Sequence, residues 1–442
     1  MTIAATTYTN LKTALGNQLE AEIKEQEQNA LFREAFEWRF EFPEVLDEAG
    51  AFRGFDVVMG NPPYGVGFTP EAKKILVEQF PTLNYRLESY VAFIEQGLRL
   101  LSSTGFLAYI IPDTFLTLDF TANLRKLLLD KSQIQEIFTM PSTVFPDAVV
   151  DVVMLSVQNA VVSMEPIQIK RFDKRATRFS MDAPAKSFLI EPLLWRKTQL
   201  FLLLEAHEVE MLEQIMSVSQ PLSTYVVGIS GIKAYQTGKG KPAQTKTVVE
   251  TKPYTASEQL TDEWKPYYEG KHVLKYSTSW GKDSWLHYGT WLAEPREPSV
   301  FLGEKLLVRK IVSDTLLATY TDEESYCNTL LFLLKLKPDS SYSYFFILAL
   351  LNSRIMARII KMRLEIDVTD LFPQIMLSNI LDLPIPAATP AEQAAIAALV
   401  QQILDAKAAD PTGHGPTADT AALEAAVDAA VAALYGVALP AA

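Results

Sequence analysis

Four consecutive residues, Asn61-Pro62-Pro63-Tyr64, have the types and spacing in this sequence best suited to chemistry. They follow the apolar run Phe55–Gly60, which predicts a short buried strand that leads into a proline-stiffened turn. Asn61 offers a side-chain carbonyl, and Pro62 offers a backbone carbonyl without a competing N–H of its own. Two acceptors directed at one exocyclic amino group make its nitrogen nucleophilic, because they draw the lone pair out of conjugation. Tyr64 adds a ring on which a planar base can stack, a contact worth roughly 1–3 kcal/mol.

An ordinary strand that ends in a Pro-Pro loop is the alternative interpretation of this motif. The elements around the motif favour the functional one. Apolar periodicity predicts helices over about 71–79, 87–101 and 121–130, and strands over 105–112, 134–139 and 149–158. This alternation of strand and helix predicts an α/β fold with a parallel sheet. The last two strands are close enough in sequence to form an antiparallel hairpin.

The whole sequence predicts five regions of different composition, one of which is the α/β sheet. Residues 1–45 form a helical lead-in, and 46–162 hold the α/β sheet. Residues 163–220 are expected to be a connector with a helical part near 198–216. The region 221–386, rich in Gly, Lys, Tyr and Trp, predicts a separate α+β domain, and 387–442 predict a tail of two Ala-rich helices.

Composition limits the classes of function. The net charge of −13 argues against a protein that coats nucleic acid along its whole surface, yet the charge is uneven. Nine lysines stand against six acidic residues between Tyr225 and Trp285, interleaved with aromatic residues. This favours a local DNA-facing patch, with an ordinary solvated face as the alternative. Apolar runs are too short to predict a membrane span, and the start of the sequence does not resemble a signal peptide.

The cysteine and histidine content points to a reducing environment without a structural metal. Cys327 is the one cysteine, which excludes a disulfide framework and predicts a cytoplasmic protein. Four scattered histidines make a structural zinc site unexpected, so we expect no metal. His272 and His287 are expected to lie on the surface.

Several segments resemble, in the same order, the gamma-class amino-methyltransferases of DNA, namely the TaqI-type adenine methyltransferases and the related type IIG restriction–modification enzymes. The resemblance covers about residues 35–437 and rests on the segments Phe36–Val45, Phe55–Tyr64, Gly105–Pro112, Val144–Ala148 with the following strand, residues 221–386 including Phe301–Arg309, Leu423–Asp428 and Leu434–Val437. It implies a partial S-adenosylmethionine-methyltransferase sheet of Rossmann-like type, followed by a TaqI-like target-recognition domain and a helical tail.

The resemblance also implies an activity, a site and partners. The activity is methyl transfer from S-adenosylmethionine to N6 of a flipped adenine in double-stranded DNA, within a restriction–modification or phage-defence system. Asn61, Pro62 and Pro63 would form the catalytic turn, with Asn61 also next to the cofactor, while Tyr64 and Phe145 would contact the two faces of the base. Core packing after a hairpin turn is the alternative role for Phe145. The choice of adenine rests on family analogy with Asn61. Candidate DNA contacts in the recognition domain are Lys233, Tyr235, Lys239, Lys241, Trp280 and Arg309.

One part of the family pattern is missing from the sequence. Complete enzymes carry a glycine-rich strand–loop–helix for the cofactor upstream of the catalytic motif. Here the glycines before the motif are only Gly16, Gly50, Gly54 and Gly60, and no Gly-x-Gly follows a strand. Without the neighbouring strand, Phe55–Met59 would be an unpaired apolar edge. We therefore expect a second polypeptide to supply the missing half, or the sequence to be part of a longer chain; residues 8–40 folding over the edge is the alternative.

Two other functions remain open from the sequence. A non-catalytic DNA-specificity subunit would keep the fold without binding cofactor, although it would not need an intact Asn61–Tyr64 motif. A protein-glutamine methyltransferase could hold a side-chain amide with the same motif. No nuclease constellation stands out in the sequence.

Overall fold

The computed structural model describes residues 36, 38–141, 144, 151–160, 164–172, 180, 183–311, 315–364, 375–410 and 418–439. The predicted lead-in helices before residue 36 and the aromatic residue Phe145 lie outside the described residues. The chain divides into two compact units, residues 1–203 and 204–442.

The first unit is an α/β structure, as predicted. Its helices are α1 (Trp38–Glu41), α2 (Pro70–Gln79), α3 (Ser89–Leu100), α4 (Ala122–Lys131) and α5 (Pro192–Thr198), and its strands are β1 (Phe55–Gly60), β2 (Leu101–Pro112), β3 (Gln133–Thr139), β4 (Val152–Gln158), β5 (Ile167–Arg171) and β6 (Lys186–Ile190). The strands form one sheet in the order β1-β2-β4-β3-β5-β6. β1 pairs with β2 in parallel, and β3 and β4 form the expected antiparallel pair.

One face of this sheet near β1 is packed and the other is open. Leu107 and Tyr109 of β2 are buried, and α3 packs over them through Gly97. A Cβ at Gly97 would lie 2.3 Å from a Leu107 methyl carbon, so a larger residue there would require the Leu107 side chain to move. The neighbouring residues of both strands point to the opposite face. There Phe106 is 41% exposed, Val57 54% and Met59 75%.

β1 is therefore not the buried strand that its apolar sequence predicts. Among the described residues, β1 has a partner on one side only, because it stands at the end of the strand order. Val57 and Met59 project from that terminal strand next to Phe106, which lies opposite Val57 in the register. The open apolar edge expected from the missing glycine-rich segment is present in the described part of the chain.

The segment predicted as a connector contributes to the first sheet. β5 pairs in parallel with β3, and β6 pairs antiparallel with β5. The boundary between the units lies after Leu203, within the region 163–220. Five-residue strands carry too little periodicity to be distinguished from loop by pattern alone. They are stabilised here because β5 pairs with β3 and β6 pairs with β5.

The second unit contains the recognition region and the tail together. Its helices are α6 (Ala206–Ser217), α7 (Lys246–Thr251), α8 (Tyr344–Asn352), α9 (Arg354–Leu364), α10 (Leu377–Leu381), α11 (Pro390–Ala408) and α12 (Ala421–Tyr435). Its strands are β7 (Ser219–Pro221), β8 (Val226–Ser230), β9 (Thr255–Ala256), β10 (Trp264–Tyr268), β11 (Val273–Leu274), β12 (Ser277–Thr278), β13 (Trp285–His287), β14 (Lys305–Arg309), β15 (Ala318–Thr321), β16 (Tyr326–Cys327), β17 (Leu331–Leu336) and β18 (Pro384–Pro386).

Two four-stranded sheets and the tail helices build the second unit. The sheets have the orders β15-β14-β17-β8 and β16-β10-β13-β9. A shared core that includes Leu286, Phe301 and Leu333 joins them. The tail helices are part of the same unit: Tyr435 donates to the Pro384 carbonyl at 2.6 Å, and Glu424 pairs with Lys275 at 2.7 Å.

Candidate functional site

The Asn61–Tyr64 turn leaves the carboxyl end of β1, where ligands bind in many parallel α/β sheets. Asn61 and Pro63 are exposed, Pro62 is buried and Tyr64 is half-buried. Within the described part of the chain, the Asn61 side-chain amide makes no hydrogen bond, so its carbonyl is free to accept one from a ligand. The turn thus presents the Asn61 amide and the Tyr64 ring on a segment whose next residue, Pro62, is anchored by burial.

An aromatic cluster holds the other end of β1. Trp38, Phe42 and Phe52 surround Phe55, with ring centroids 5.7, 5.4 and 6.2 Å from the Phe55 ring. Each contact is nearly perpendicular, the edge-to-face arrangement that aromatic pairs favour. The segment that precedes the strand in sequence therefore fixes where the strand begins.

The N-terminus of α3 contacts the turn through two side chains. Ser89, buried beneath the turn, donates its hydroxyl to the Pro63 carbonyl. Glu88 accepts a hydrogen bond from the Gly65 backbone N–H at 3.4 Å. Arg86 in turn donates to the other Glu88 oxygen at 2.8 Å, and its guanidinium lies 5.1 Å from the Phe120 ring centroid.

Sequence reasoning missed Glu88 and Ser89. Both lie more than twenty residues from the turn in sequence, and no spacing rule connects them to it. An acidic residue followed by serine at the start of the first long helix after the motif is the signal that could have drawn attention to them. Further along α3, burial raises the pKa of Tyr90 to about 12, which keeps its hydroxyl protonated 3.5 Å from Thr114 Oγ1.

A second candidate site is the lysine loop, which we define as residues 233–241. Lys233, Lys239 and Lys241 are exposed, and none of them forms an ion pair with a residue that the structure describes. The buried side chain of Gln244, which is only 3% exposed, holds the loop. Three unpaired cations on one ordered loop suit contacts to phosphate groups.

Gln244 makes hydrogen bonds with three separate backbone positions. Its side-chain nitrogen donates to the carbonyls of Ala234 and Trp291, each at 2.8 Å, and its side-chain oxygen accepts from Gln236 N–H at 2.9 Å. Gly240 has a φ of +87°, and a Cβ there would lie 2.4 Å from the Trp291 carbonyl oxygen. The backbone of the loop is therefore tied to the segment around Trp291.

The other three predicted DNA contacts, Tyr235 within the lysine loop and Trp280 and Arg309 outside it, are less exposed than the lysines. Tyr235 is half-buried and stacks on Tyr254, and its hydroxyl accepts from the Tyr254 N–H at 2.8 Å. Trp280 stacks on Tyr268 and donates its indole N–H to the Ser284 carbonyl at 3.0 Å. Arg309, at the end of β14, is half-buried, and its Nε has no hydrogen-bond partner among the described residues.

The described part of the chain offers neither a metal site nor a membrane-spanning helix. No group of three His, Cys, Asp or Glu residues there is arranged to hold a metal ion. None of the described helices is long and apolar enough to cross a membrane. β1 is the first strand in that part of the chain, so a strand with a glycine-rich cofactor loop does not precede it there.

Two family models match the chain, one in each unit. Residues 3–145 match the Eco57I restriction-modification methylase, and residues 265–385 match the TaqI-like C-terminal specificity domain. The first match includes the Asn61–Tyr64 turn and α3. The second begins just after the lysine loop and α7.

Among curated proteins, one from Methanocaldococcus jannaschii, named as a type II restriction enzyme and methyltransferase, is 26% identical over 355 residues, or 79% of this chain and 28% of that protein. A type II methyltransferase from Thermus thermophilus is 33% identical over 110 residues, or 23% of this chain and 25% of that protein. The chain thus matches less than a third of the length of these relatives. The DNA-bound type IIL restriction-modification enzyme MmeI shares the fold, with a TM-score of 0.55 and 13% identity over 91% of this chain and 56% of that chain.

Proposed function

Since the chain belongs to the type II restriction-modification methylases, with an Eco57I-type methylase segment and a TaqI-like specificity domain, we propose that it methylates the N6 amino group of adenine in double-stranded DNA. The observation that carries this proposal is the turn after β1, where the unpaired Asn61 amide stands three residues from the Tyr64 ring. The identity of the base rests on the resemblance of Asn61 to the first motif position of adenine-specific enzymes.

The residues of the turn act on the target amino group. The flipped adenine stacks on Tyr64, and the Asn61 side-chain carbonyl and the Pro62 carbonyl accept the two N6 hydrogens. Both acceptors increase electron density on N6. S-adenosylmethionine, when bound, would supply the methyl group to the N6 lone pair, with the electrons of its methyl–sulfur bond remaining on sulfur. The extra N6 proton then leaves toward the acceptors and solvent.

The cofactor side of this site is proposed to come from outside the described residues. Val57, Met59 and Phe106 form an exposed apolar surface beside the unpaired edge of β1. A strand paired to β1, followed by a helix over this face, would satisfy the free backbone groups and cover the apolar side chains together. We propose that a second polypeptide supplies this strand and helix and with them the S-adenosylmethionine site.

DNA is proposed to bind the second unit through the lysine loop. Lys233, Lys239 and Lys241 are placed to contact phosphates, which positions the duplex without reading its sequence. Tyr235 and Trp280 are proposed to support this surface by stacking, since their polar atoms are already engaged inside the unit. Arg309, whose Nε lacks a described partner, is proposed as the contact to a base edge.

The decisive experiment measures transfer of radiolabelled methyl groups to duplex DNA by the chain together with the product of the neighbouring gene. Nucleoside analysis should yield N6-methyladenine. Asn61→Ala should lower kcat by about 10²–10³-fold, the usual cost of losing one positioned polar group in an active site. The matched control Asn123→Ala changes an exposed asparagine on α4 and should retain full activity.

A DNA-specificity subunit is the second candidate, favoured by the absence of a described strand and glycine-rich loop before β1. Sequence-specific DNA binding without methyl transfer, in the presence and absence of the neighbour's product, would establish it. Methylation of a glutamine-containing peptide but not of DNA would instead assign the turn to protein methylation. Calorimetric titration with S-adenosylmethionine further distinguishes a methyltransferase from a specificity subunit. We expect S-adenosylmethionine to bind only when the second polypeptide is present.

A further inference from the structure

The turn after β1 has few means of holding its own shape. Pro62 and Pro63 have no N–H to donate, and β1 is paired on one side only within the described chain. The hydrogen bonds that fix residues 61–68 in the described structure are the two made with Ser89 and Glu88. The geometry of the turn therefore depends on the beginning of α3.

The Glu88 side chain contacts the turn and does not cap its own helix. It occupies the N-cap of α3, where a side chain normally accepts a hydrogen bond from the first helical turn, but it makes no such bond. Its carboxylate instead receives the Gly65 N–H. The Glu88 side chain is only 12% exposed, and the bond from Arg86 fixes its second oxygen.

Ser89 and Glu88 hold the turn at two points that flank Tyr64. Ser89 binds the carbonyl of the preceding residue, Pro63, and Glu88 binds the N–H of the following residue, Gly65. Together these bonds define the planes of the two peptide groups beside Tyr64. They consequently restrict the backbone from which the Tyr64 side chain projects and, through the stiff Pro62–Pro63 unit, the backbone that carries Asn61 and the Pro62 carbonyl.

We propose that Glu88 and Ser89 are positioning residues that clamp the Asn61–Tyr64 turn in its reactive geometry. The consequence for methyl transfer rests on the proposed function, whereas the clamp itself is a property of the chain alone. Neither residue touches the base; each acts through the backbone of the turn. Displacement of reacting groups by about 1 Å can cost about 10²-fold in rate, so loss of the clamp should affect turnover more than binding.

The first test measures hydrogen–deuterium exchange of the purified full chain by mass spectrometry. Glu88→Ala should accelerate exchange in a peptide covering residues 61–69 by about fivefold, with thermal unfolding unchanged. Glu88→Gln should restore much of the protection, because its amide oxygen still accepts from Gly65. Glu71→Ala, which removes an exposed carboxylate from the first turn of α2, serves as the matched control.

The second test measures the kinetics of methyl transfer under the conditions that support wild-type activity. Glu88→Ala and Ser89→Ala should each lower kcat by about 10–100-fold while KM for DNA stays within about twofold. A structural role alone would instead lower the active fraction and the unfolding temperature together. Glu88→Gln should recover most of the lost kcat.

The two tests distinguish failure of the methylation proposal from failure of the clamp proposal. If wild-type chain never methylates DNA but Glu88→Ala still releases the turn to exchange, the methylation proposal is wrong and the clamp stands. If exchange over residues 61–69 is the same in wild type, Glu88→Ala and Ser89→Ala, the clamp does not exist. Loss of DNA binding with unchanged kcat in Glu88→Ala would likewise overturn it, since the contact would then serve binding.

Discussion

His272 illustrates how a single residue departs from its sequence-based expectation. It is 2% exposed, and so the prediction of a surface histidine is wrong for this residue. Its Nδ1 accepts a hydrogen bond from the Glu269 N–H at 3.0 Å, and its Nε2 lies 3.2 Å from Asp283 Oδ1. Burial lowers the pKa of His272, assisted by Lys271, and outweighs the opposing effects of Asp283 and Glu269. The neutral form is therefore the one that the fold selects.

This environment predicts a pH dependence of stability. The unfolded chain accepts a proton on His272 near pH 6.5, whereas the folded chain does so only at lower pH. Between the pKa of His272 in the unfolded chain and its lower pKa in the folded chain, the unfolded state binds more protons than the folded state. The second unit should therefore lose stability as the pH falls below about 6.5. His272→Gln should flatten this dependence in calorimetric unfolding between pH 7.5 and 5.5, the range in which an ordinary histidine titrates.

The exposed His207 provides the control for this prediction. Its side chain is 65% exposed, so His207→Gln should leave the pH dependence as it is in the wild type. Equal slopes for wild type and His272→Gln would contradict the assignment of the effect to His272.

At the scale of elements, the lysine loop combines a hydrogen-bonded backbone with exposed charges. Its backbone is held through Gln244 and the Lys241 N–H bond to the Thr290 carbonyl at 2.8 Å. A loop ordered before DNA arrives loses less conformational entropy on binding than a flexible one. Sequence indicated the excess of lysine and named Lys233, Lys239 and Lys241, while only the structure shows that Gln244 ties their loop to the segment around Trp291.

If these lysines contact phosphates, they should govern the salt dependence of DNA binding. Each of Lys239→Ala and Lys241→Ala should reduce the slope of log K against log salt by about 0.9. Both should weaken binding to all DNA sequences alike. Lys131→Ala, at an exposed position in the first unit, should leave the slope unchanged in fluorescence anisotropy titrations.

Gln244→Leu offers a complementary variant because it removes no charge. It should weaken binding while keeping the salt slope of the wild type, since the cations remain and only their placement is lost. A slope reduced as in the lysine variants would show that the effect of Gln244 is electrostatic and would count against the scaffold interpretation.

At the scale of the whole molecule, the first sheet has two edge strands that lack a second neighbouring strand in the described chain. β1 and β6 stand at the two ends of the strand order in the described chain. Met59 on β1 is 75% exposed and Leu189 on β6 is 58% exposed, so both edges carry an apolar side chain. Only the β1 edge adjoins the proposed active-site turn, and it is therefore the edge where we propose that a cofactor-binding segment joins.

This difference between the edges can be tested with charge substitutions. Met59→Lys should abolish co-purification with the product of the neighbouring gene, because burial of an unpaired ammonium group opposes docking. Leu189→Lys, on the opposite edge, should leave co-purification intact. If both variants behaved alike, the partner would not dock on β1. Dye binding to exposed apolar surface should also fall in Met59→Lys.

The sequence by itself indicated many of the elements and placed the Asn61–Tyr64 motif directly after a strand. Helices such as 70–79 and 390–408 and strands such as 133–139 and 152–158 were predictable to within a few residues. Their signals are local, because apolar periodicity and capping residues act over one or two turns of chain. The Asn61–Tyr64 motif was likewise recognisable, since it consists of consecutive residues, and the chemistry that we assign to it stays a prediction.

The tertiary structure alone decided which residues support that chemistry. The contacts of Glu88 and Ser89 with the turn, the pairing of β5 and β6 with the first sheet, and the burial of His272 join segments with no common local pattern. The two sides of a strand are also indistinguishable in sequence when both are apolar. The sequence of β1 therefore predicted a buried strand. Val57 and Met59 are exposed because β1 stands at the end of the sheet, and burial depends on neighbours that only folding assembles.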